Sequence, residues 1–153
     1  MSYEIRKEQR DEVHTLVMSR RVSPSALAEA MAELLPEVYE HAMKSGLSIT
    51  GVPFVIYTDW SAGGVTLTGG LPVADPGEGT DEIRPYVFPA GEYVVTVHPG
   101  SYDTLDKAHE ALEQWMAEHG LQAGEANYEF YLTDPGQYPD EADWRTEVLR
   151  QVM

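Results

Sequence analysis

Phe54-Val55-Ile56-Tyr57-Thr58-Asp59 and Tyr128-Glu129-Phe130-Tyr131-Leu132-Thr133-Asp134 decide the reading of this chain, because they are two versions of one strand. Tyr131 lies 74 residues after Tyr57 (131 against 57), and the same offset carries Gly46-Leu47 onto Gly120-Leu121 (120 against 46). Each Gly-Leu pair follows a helix-like segment. Each half therefore reads strand, helix, Gly-Leu, strand ending near Asp, loop, strand. A long period seen only twice is a duplicated supersecondary unit, since a solenoid needs three or more stacked repeats. Two similar halves predict a groove at their junction, and they let each position be compared with its mate. The mate of Glu129 is Val55.

Working outward from these strands, residues 3–8 and 12–21 read as two further strands joined around Arg10-Asp11, with Arg and Lys content that fits an exposed or edge position. Ser23-Pro24 marks a helix start, with Ser as N-cap and Pro at the first helical position. Leu27, Met31, Leu34, Leu35, Val38, Ala42 and Met43 then recur at spacings of three and four, giving one apolar stripe that Gly46 ends. Pro36 inside this helix predicts a kink. Residues 53–60 read as a strand, 61–64 as a turn and 65–73 as a strand, in which Gly69-Gly70 predicts a bulge or a close approach by another element. Residues 74–85 form an acidic, Gly/Pro-rich joint inside a single domain, with half-repeats at about 1–75 and 85–153.

In the second half, residues 92–98 alternate so that Tyr93, Val95 and Val97 face one way. Pro99-Gly100-Ser101 breaks that strand, and Ser101 or Asp103 can cap the next helix, whose buried face is Leu105, Ala108, Leu112, Trp115 and Met116. Residues 128–133 are a strand, Asp134-Pro135-Gly136 a turn, and residues 144–152 the last strand. The order β-β-α-β-β, β-α-β-β predicts an α+β fold: a duplicated βαββ repeat forming an antiparallel sheet, with two long helices on one face.

Composition bounds the function. The chain has 153 residues, 42% of them hydrophobic, enough for a real core and too many for a disordered chain. No apolar run approaches the roughly 18 residues of a membrane span. Charges in Met1-Ser2-Tyr3-Glu4-Ile5-Arg6-Lys7 stand where a signal peptide needs an apolar stretch, so the expected location is cytoplasmic. With no cysteine, disulfides, thiol nucleophiles and thiolate metal sites are excluded together. The 26 acidic residues against 10 basic ones give a net charge of −16, which repels nucleic acid and draws cations towards clefts.

Alternation in the second copy puts Tyr128, Phe130 and Leu132 on one side of the strand and Glu129 and Tyr131 on the other. Burying an unpaired carboxylate among aromatic residues costs several kcal/mol. The apolar mate Val55 shows that the position suits a hydrophobic side chain. Glu129 is therefore either exposed or paired with an Arg, or it is a pocket carboxylate whose partner is a ligand cation or whose pKa burial raises. Tyr57 and Tyr131, as repeat mates, are expected across the junction from one another. Trp60 beside the Gly-rich turn, and Tyr93 and Tyr102 flanking the second helix entrance, complete a candidate cation–π cage, although each alone fits core packing. The histidines, His14, His41, His98, His109 and His119, show no metal-ligand spacing, so no metal and no cofactor is expected. His98 and His109 bracket a helix start and read as satisfied surface histidines. Neither a nucleophile elbow nor a phosphate-binding glycine loop is present.

Four stretches resemble one family. Gly51-Val52-Pro53-Phe54-Val55-Ile56-Tyr57, ahead of a strand ending Gly70-Leu71-Pro72-Val73, resembles the first half of GyrI-like domains. Pro89-Ala90-Gly91-Glu92-Tyr93, followed by His98-x-Gly100-x-Tyr102-x-x-Leu105, resembles the start of their second half. Tyr128-Glu129-Phe130-Tyr131-Leu132-Thr133-Asp134-Pro135 resembles the signature near their end, and the likeness runs from about residue 3 to residue 152. These effector-binding domains of AraC- and MerR-type regulators consist of two βαββ repeats. The resemblance implies a groove between the halves that takes bulky, often cationic and aromatic, small molecules, with Glu129 at the place of the pocket glutamate. A first strand within a few residues of Met1 reads as a stand-alone member without a helix-turn-helix. The departures are Leu149-Arg150-Gln151-Val152, where family members often carry a proline, and Pro36 in the first helix.

Three functional readings follow. The first is a binding module that captures hydrophobic or cationic aromatic molecules for sequestration or sensing. Its Glu129 is the counter-charge and Tyr131, Tyr57, Trp60, Tyr93 and Tyr102 are ligand contacts. Such a module needs no nucleic acid and no membrane, and is expected as a monomer or weak homodimer. The alternative, implied by the resemblance, is a hydrolase opening cyclopropane rings of genotoxic natural products in the same pocket, with Glu129 as the acid–base residue. The third is a protein binder of the gyrase-inhibitor kind.

Overall fold

Helices α1 (Leu27–Lys44) and α2 (Leu105–Glu118) end alike, at the two Gly-Leu pairs. Gly46 and Gly120 both adopt left-handed backbone, φ 69° and 67°. Leu47 donates its N–H to the Ala42 carbonyl and Gly46 to that of Met43, and Leu121 and Gly120 repeat the pattern to Met116 and Ala117. This is the Schellman closure, which satisfies orphan carbonyls of the last turn and turns an apolar residue back onto the helix. Leu47 and Leu121 each pack against their own helix's apolar cluster. Nothing lies within 4 Å of a Cβ built on Gly120. Gly120→Ala is therefore expected to cost about 1–2 kcal/mol through backbone conformation alone, measurable as a lower urea midpoint, with Gly120→Asn losing less.

The computed structural model describes residues 3–153. Strands β1 (Arg6–Arg10), β2 (Val13–Val22), β3 (Phe54–Ser61), β4 (Gly64–Pro72), β5 (Ile83–Phe88), β6 (Gly91–Pro99), β7 (Ala123–Tyr131) and β8 (Arg145–Val152) accompany the two helices. They fall into two compact units: Asp11–Ala90, and Gly91–Met153 joined by the N-terminal stretch ending at Arg10. In the first, the strands run β3-β4-β2-β5; in the second, β1-β6-β8-β7. The neighbours within each unit pair antiparallel. The α+β class, with antiparallel pairing and one long helix to each repeat, is the one the element order predicts.

The units are not the two halves of the sequence read in order. β1 leaves its chain neighbour β2 and pairs with β6, in the register Arg6↔Val95. β5 starts at Ile83, inside the stretch expected as a joint, and adds to the edge of β2 through Leu16↔Pro85 and Val13↔Phe88. Proline is tolerated there because β5 ends its unit's strand order. β7 begins at Ala123, five residues ahead of the aromatic run, and its register with β8 is irregular between Ala123 and Asn127.

Each helix covers one face of its own sheet. α1 lays Leu34, Val38 and Ala42 on Leu16, Met18, Leu71, Val73 and Ile83. Met43, expected in the stripe, is 57% exposed, and the fully buried flank is completed by Ala30 instead. Pro36 sits on the exposed side of a helix that continues through it to Lys44. There water can solvate the Ala32 carbonyl that loses its N–H partner. Gly69 marks the close approach of α1 to β4, since a Cβ there would stand 2.5 Å from Leu34 Cδ2. α2 lays Leu105, Ala108, Leu112 and Met116 on Val94 and Val148. Ser101 Oγ accepts the Asp103 N–H at 3.2 Å and caps the short turn that leads into α2. Among the described residues, no helix is long and apolar enough to cross a membrane.

Candidate functional site

β7 and α2 build the site within the second unit. Val148 is the β8 neighbour of Glu129 and belongs to the apolar cluster beneath α2. The alternation of β7 therefore turns Asn127, Glu129 and Tyr131 to the same helix-covered face. Glu129 is only 4% exposed, and its mate Val55, in the other unit, is fully buried. An exposed solvent-face carboxylate is thereby excluded.

A buried carboxylate needs donors. Tyr131 donates its hydroxyl to Glu129 Oε1 at 2.7 Å, from two residues along the same strand. His109 Nε2 lies 2.7 Å from Oε2. An ionised carboxylate only accepts, so with Glu129 charged His109 carries its hydrogen on Nε2. His109 stands one position past Ala108, at the margin of the buried stripe of α2, and is itself part-buried.

Aromatic rings continue outward from Tyr131. Tyr102, in the turn that opens α2, has its centroid 5.5 Å from that of Tyr131 and 4.8 Å from that of Trp144. Trp144 Nε1–H donates to the Tyr138 carbonyl at 2.6 Å, which fixes the indole. Burial first, and then the negative charges of Asp134 and Glu129, push the Tyr102 hydroxyl above the ordinary tyrosine pKa. The result is a graded series, from a buried carboxylate through Tyr131 to the half-buried Tyr102 and Trp144. Flat π-faces and a negative centre in one place are the components of a cation–π site.

The other residues expected in the site are Tyr57 and Trp60 of the first unit and Tyr93 of β6. Tyr57 is buried in the first unit, its hydroxyl 3.5 Å from Met31 Sδ on α1, and Trp60, 50% exposed, lies 6.0 Å from it, centroid to centroid. Asp59 just before Trp60 has φ 55°, where β3 loses register with β4. Tyr57 and Trp60 form an aromatic pair of the first unit. Tyr93 is fully buried against Tyr128, edge to face at 5.8 Å. It alternates with Val94, which faces α2, so Tyr93 points away from Glu129.

His98 is a correction. It is buried and not at the surface: Nδ1 lies 2.8 Å from the Tyr3 hydroxyl, and Nε2 lies 2.9 Å from Thr104 Oγ1. Because Thr104 donates to the Ser101 carbonyl, it accepts from Nε2–H, and Nδ1 accepts from Tyr3. Burial, and then Asp106, raises the pKa of the Tyr3 hydroxyl, in keeping with its role as donor. This chain of bonds ties Tyr3 to the entrance of α2 and engages both ring nitrogens of His98.

Sequence reasoning missed His109 and Trp144. The signal for His109 was its place beside Ala108, three residues before Leu112, where a charged-or-neutral imidazole meets the edge of the core. Nothing local marked Trp144. Among the described residues, no group of three or more His, Asp or Glu side chains could hold a metal ion.

A family model described as the GyrI-like small molecule binding domain matches residues 3–152. The C-terminal domain of EcmrR is similar over 100% of this chain and 99% of its own, at 25% identity and TM-score 0.88. In the EcmrR–DNA complex the chain spans 57% of that protein's length, with TM-score 0.85. A hydrolase from Listeria innocua shares the fold at 14% identity, with 98% of this chain and 92% of that one covered and TM-score 0.69. SAV2435, whose structure was solved bound to tetraphenylphosphonium, does so at 10% identity, with 100% and 94% covered and TM-score 0.66. No curated protein sequence matches the chain.

Proposed function

The chain belongs to the GyrI-like family of small-molecule-binding domains, and from that premise we propose that it captures bulky aromatic cations, with Glu129 as the counter-charge. One observation carries the reading: a carboxylate 4% exposed, hydrogen-bonded through both oxygens and joined through Tyr131 to the rings of Tyr102 and Trp144. With both oxygens already in hydrogen bonds within the chain, what Glu129 offers a ligand is negative charge. A cation without N–H groups therefore suits it, and the tyrosine and tryptophan faces match a ring-bearing one. The net charge of −16 raises the local concentration of such cations. Tetraphenylphosphonium, the ligand of SAV2435, has this chemistry. Sequestration or sensing would be the use, and sensing is supported by the likeness to the C-terminal domain of EcmrR, a protein solved in complex with DNA.

Tetraphenylphosphonium and tetraphenylborate have nearly one shape and opposite charge, so comparing them by calorimetric titration separates charge from fit. The expected result is saturable binding of the phosphonium and at least tenfold weaker binding of the borate. Equal affinities would remove the counter-charge.

A second reading, hydrolysis of cyclopropane-bearing genotoxic compounds, is favoured by the pairing of His109 with Glu129 at 2.7 Å. That pair could take a proton from a water whose oxygen bonds to a ring carbon as one ring C–C bond breaks, and return the proton to the group that leaves with the electron pair, a general acid–base contribution of about 10²–10⁴-fold. Substrate left intact after long incubation with stoichiometric protein would reject it.

A further inference from the structure

We infer that His109 determines the specificity of the Glu129 site by competing with ligand cations for the carboxylate charge, so that cation uptake and His109 protonation exclude one another. The inference rests on the counter-charge reading above.

The argument starts from the short contact. His109 Nε2 lies 2.7 Å from Glu129 Oε2, in a site where both side chains are largely shielded from water. A neutral imidazole donates one hydrogen bond and leaves the carboxylate its full negative charge. An imidazolium at the same distance cancels that charge and adds a positive centre that repels an incoming cation. Imidazole is the side chain whose charge changes between about pH 5 and 8. The two forms therefore present two different sites to a ligand: one anionic and cation-selective, the other internally neutralised.

Other charged and titratable groups stand around the pair. On α2 itself, Asp106 and Glu113 stand one turn to either side of His109, and Glu113 is held by Arg150 of β8 at 2.9 Å. β7 supplies Glu129 and Tyr131, and the segment after it supplies Asp134. The turn before α2 supplies Tyr102, whose raised pKa keeps it neutral throughout this range. From β6 comes His98, engaged at both ring nitrogens by Tyr3 and Thr104. His109 is thus the imidazole in direct contact with the carboxylate that a cation must use.

The test is the affinity for tetraphenylphosphonium between pH 5.5 and 8.5, in wild type, His109→Gln and Glu129→Gln. Gln keeps an N–H donor near the place of Nε2 but does not titrate. For wild type the affinity is expected to rise with pH, approaching about tenfold per unit while His109 is protonated and levelling once it is neutral. Calorimetry in buffers of different ionisation enthalpy, needing no variant, should show a proton released per cation bound at the acid end and none at the alkaline end. His109→Gln should bind at every pH as wild type does at high pH. A flat wild-type profile with no proton release, while Glu129→Gln still weakens binding, overturns the role of His109 and leaves the counter-charge standing. Binding indifferent to Glu129 at every pH overturns both.

Discussion

Glu129→Gln is expected to weaken tetraphenylphosphonium binding by one to two orders of magnitude at pH 8 and to leave the fold intact. Two unit charges about 5 Å apart attract by about 3 kcal/mol at an effective dielectric constant of about 20. A polar amide retains part of this, so a loss of about 1.4–2.8 kcal/mol, tenfold to hundredfold in Kd, is the expected result. The fold survives because the Gln carbonyl still accepts the Tyr131 hydroxyl, and His109 can move its hydrogen to Nδ1 and accept the amide N–H. Calorimetric titration measures the affinity and circular dichroism the fold. Undiminished affinity in a folded variant would take Glu129 out of the site. A neutral ligand of the same bulk should bind both forms alike, which separates charge from cavity shape.

Leu112→Ala should produce the largest loss of stability, about 2–5 kcal/mol, out of the 5–15 kcal/mol available to a domain of this kind. Leu112 is 1% exposed at the centre of the cluster that seats α2 on Val94 and Val148. Truncation removes its transfer free energy and leaves a cavity between a rigid helix and a paired sheet. Because α2 covers the face of the sheet that carries Glu129, the same variant should lose cation affinity at urea concentrations well below its denaturation midpoint. Met43→Ala is the counterpart: on sequence pattern it belongs to the stripe of α1, yet it is 57% exposed and should change stability by less than about 0.5 kcal/mol. Urea denaturation of both checks the pair. Equal losses would mean that the helical pattern, and not the packing described, identifies the core.

Much of the fold was legible because its causes are local. Period-two and period-3.6 patterns mark strands and helices through the geometry of the backbone itself. Gly46 and Gly120 could be read as helix ends because only glycine adopts their left-handed backbone without strain. The duplication was visible as two copies of one such set of local rules. It also singled out Glu129, since a carboxylate at a position whose mate is Val55 breaks the pattern of its own repeat, and the structure buries it. Tyr131 and Tyr102 followed from the same strand and the same helix entrance.

Tertiary structure decided what depends on distant partners. β1 carries no mark that sends it to β6 and not to β2, because a ladder is made of backbone groups that every residue possesses. Tyr93 satisfies the alternation rule as well as Glu129 does, but the rule does not say which face a helix will cover. His109 looked like a surface histidine because its partner, 2.7 Å away, is a carboxylate on a strand twenty residues on, met only through the way α2 lies across β7. The sequence by itself determined the repeat, the helix ends and the odd carboxylate, each from short-range backbone chemistry. The packing of α2 on its sheet decided that this carboxylate would have a titratable partner, since that requires two elements to meet.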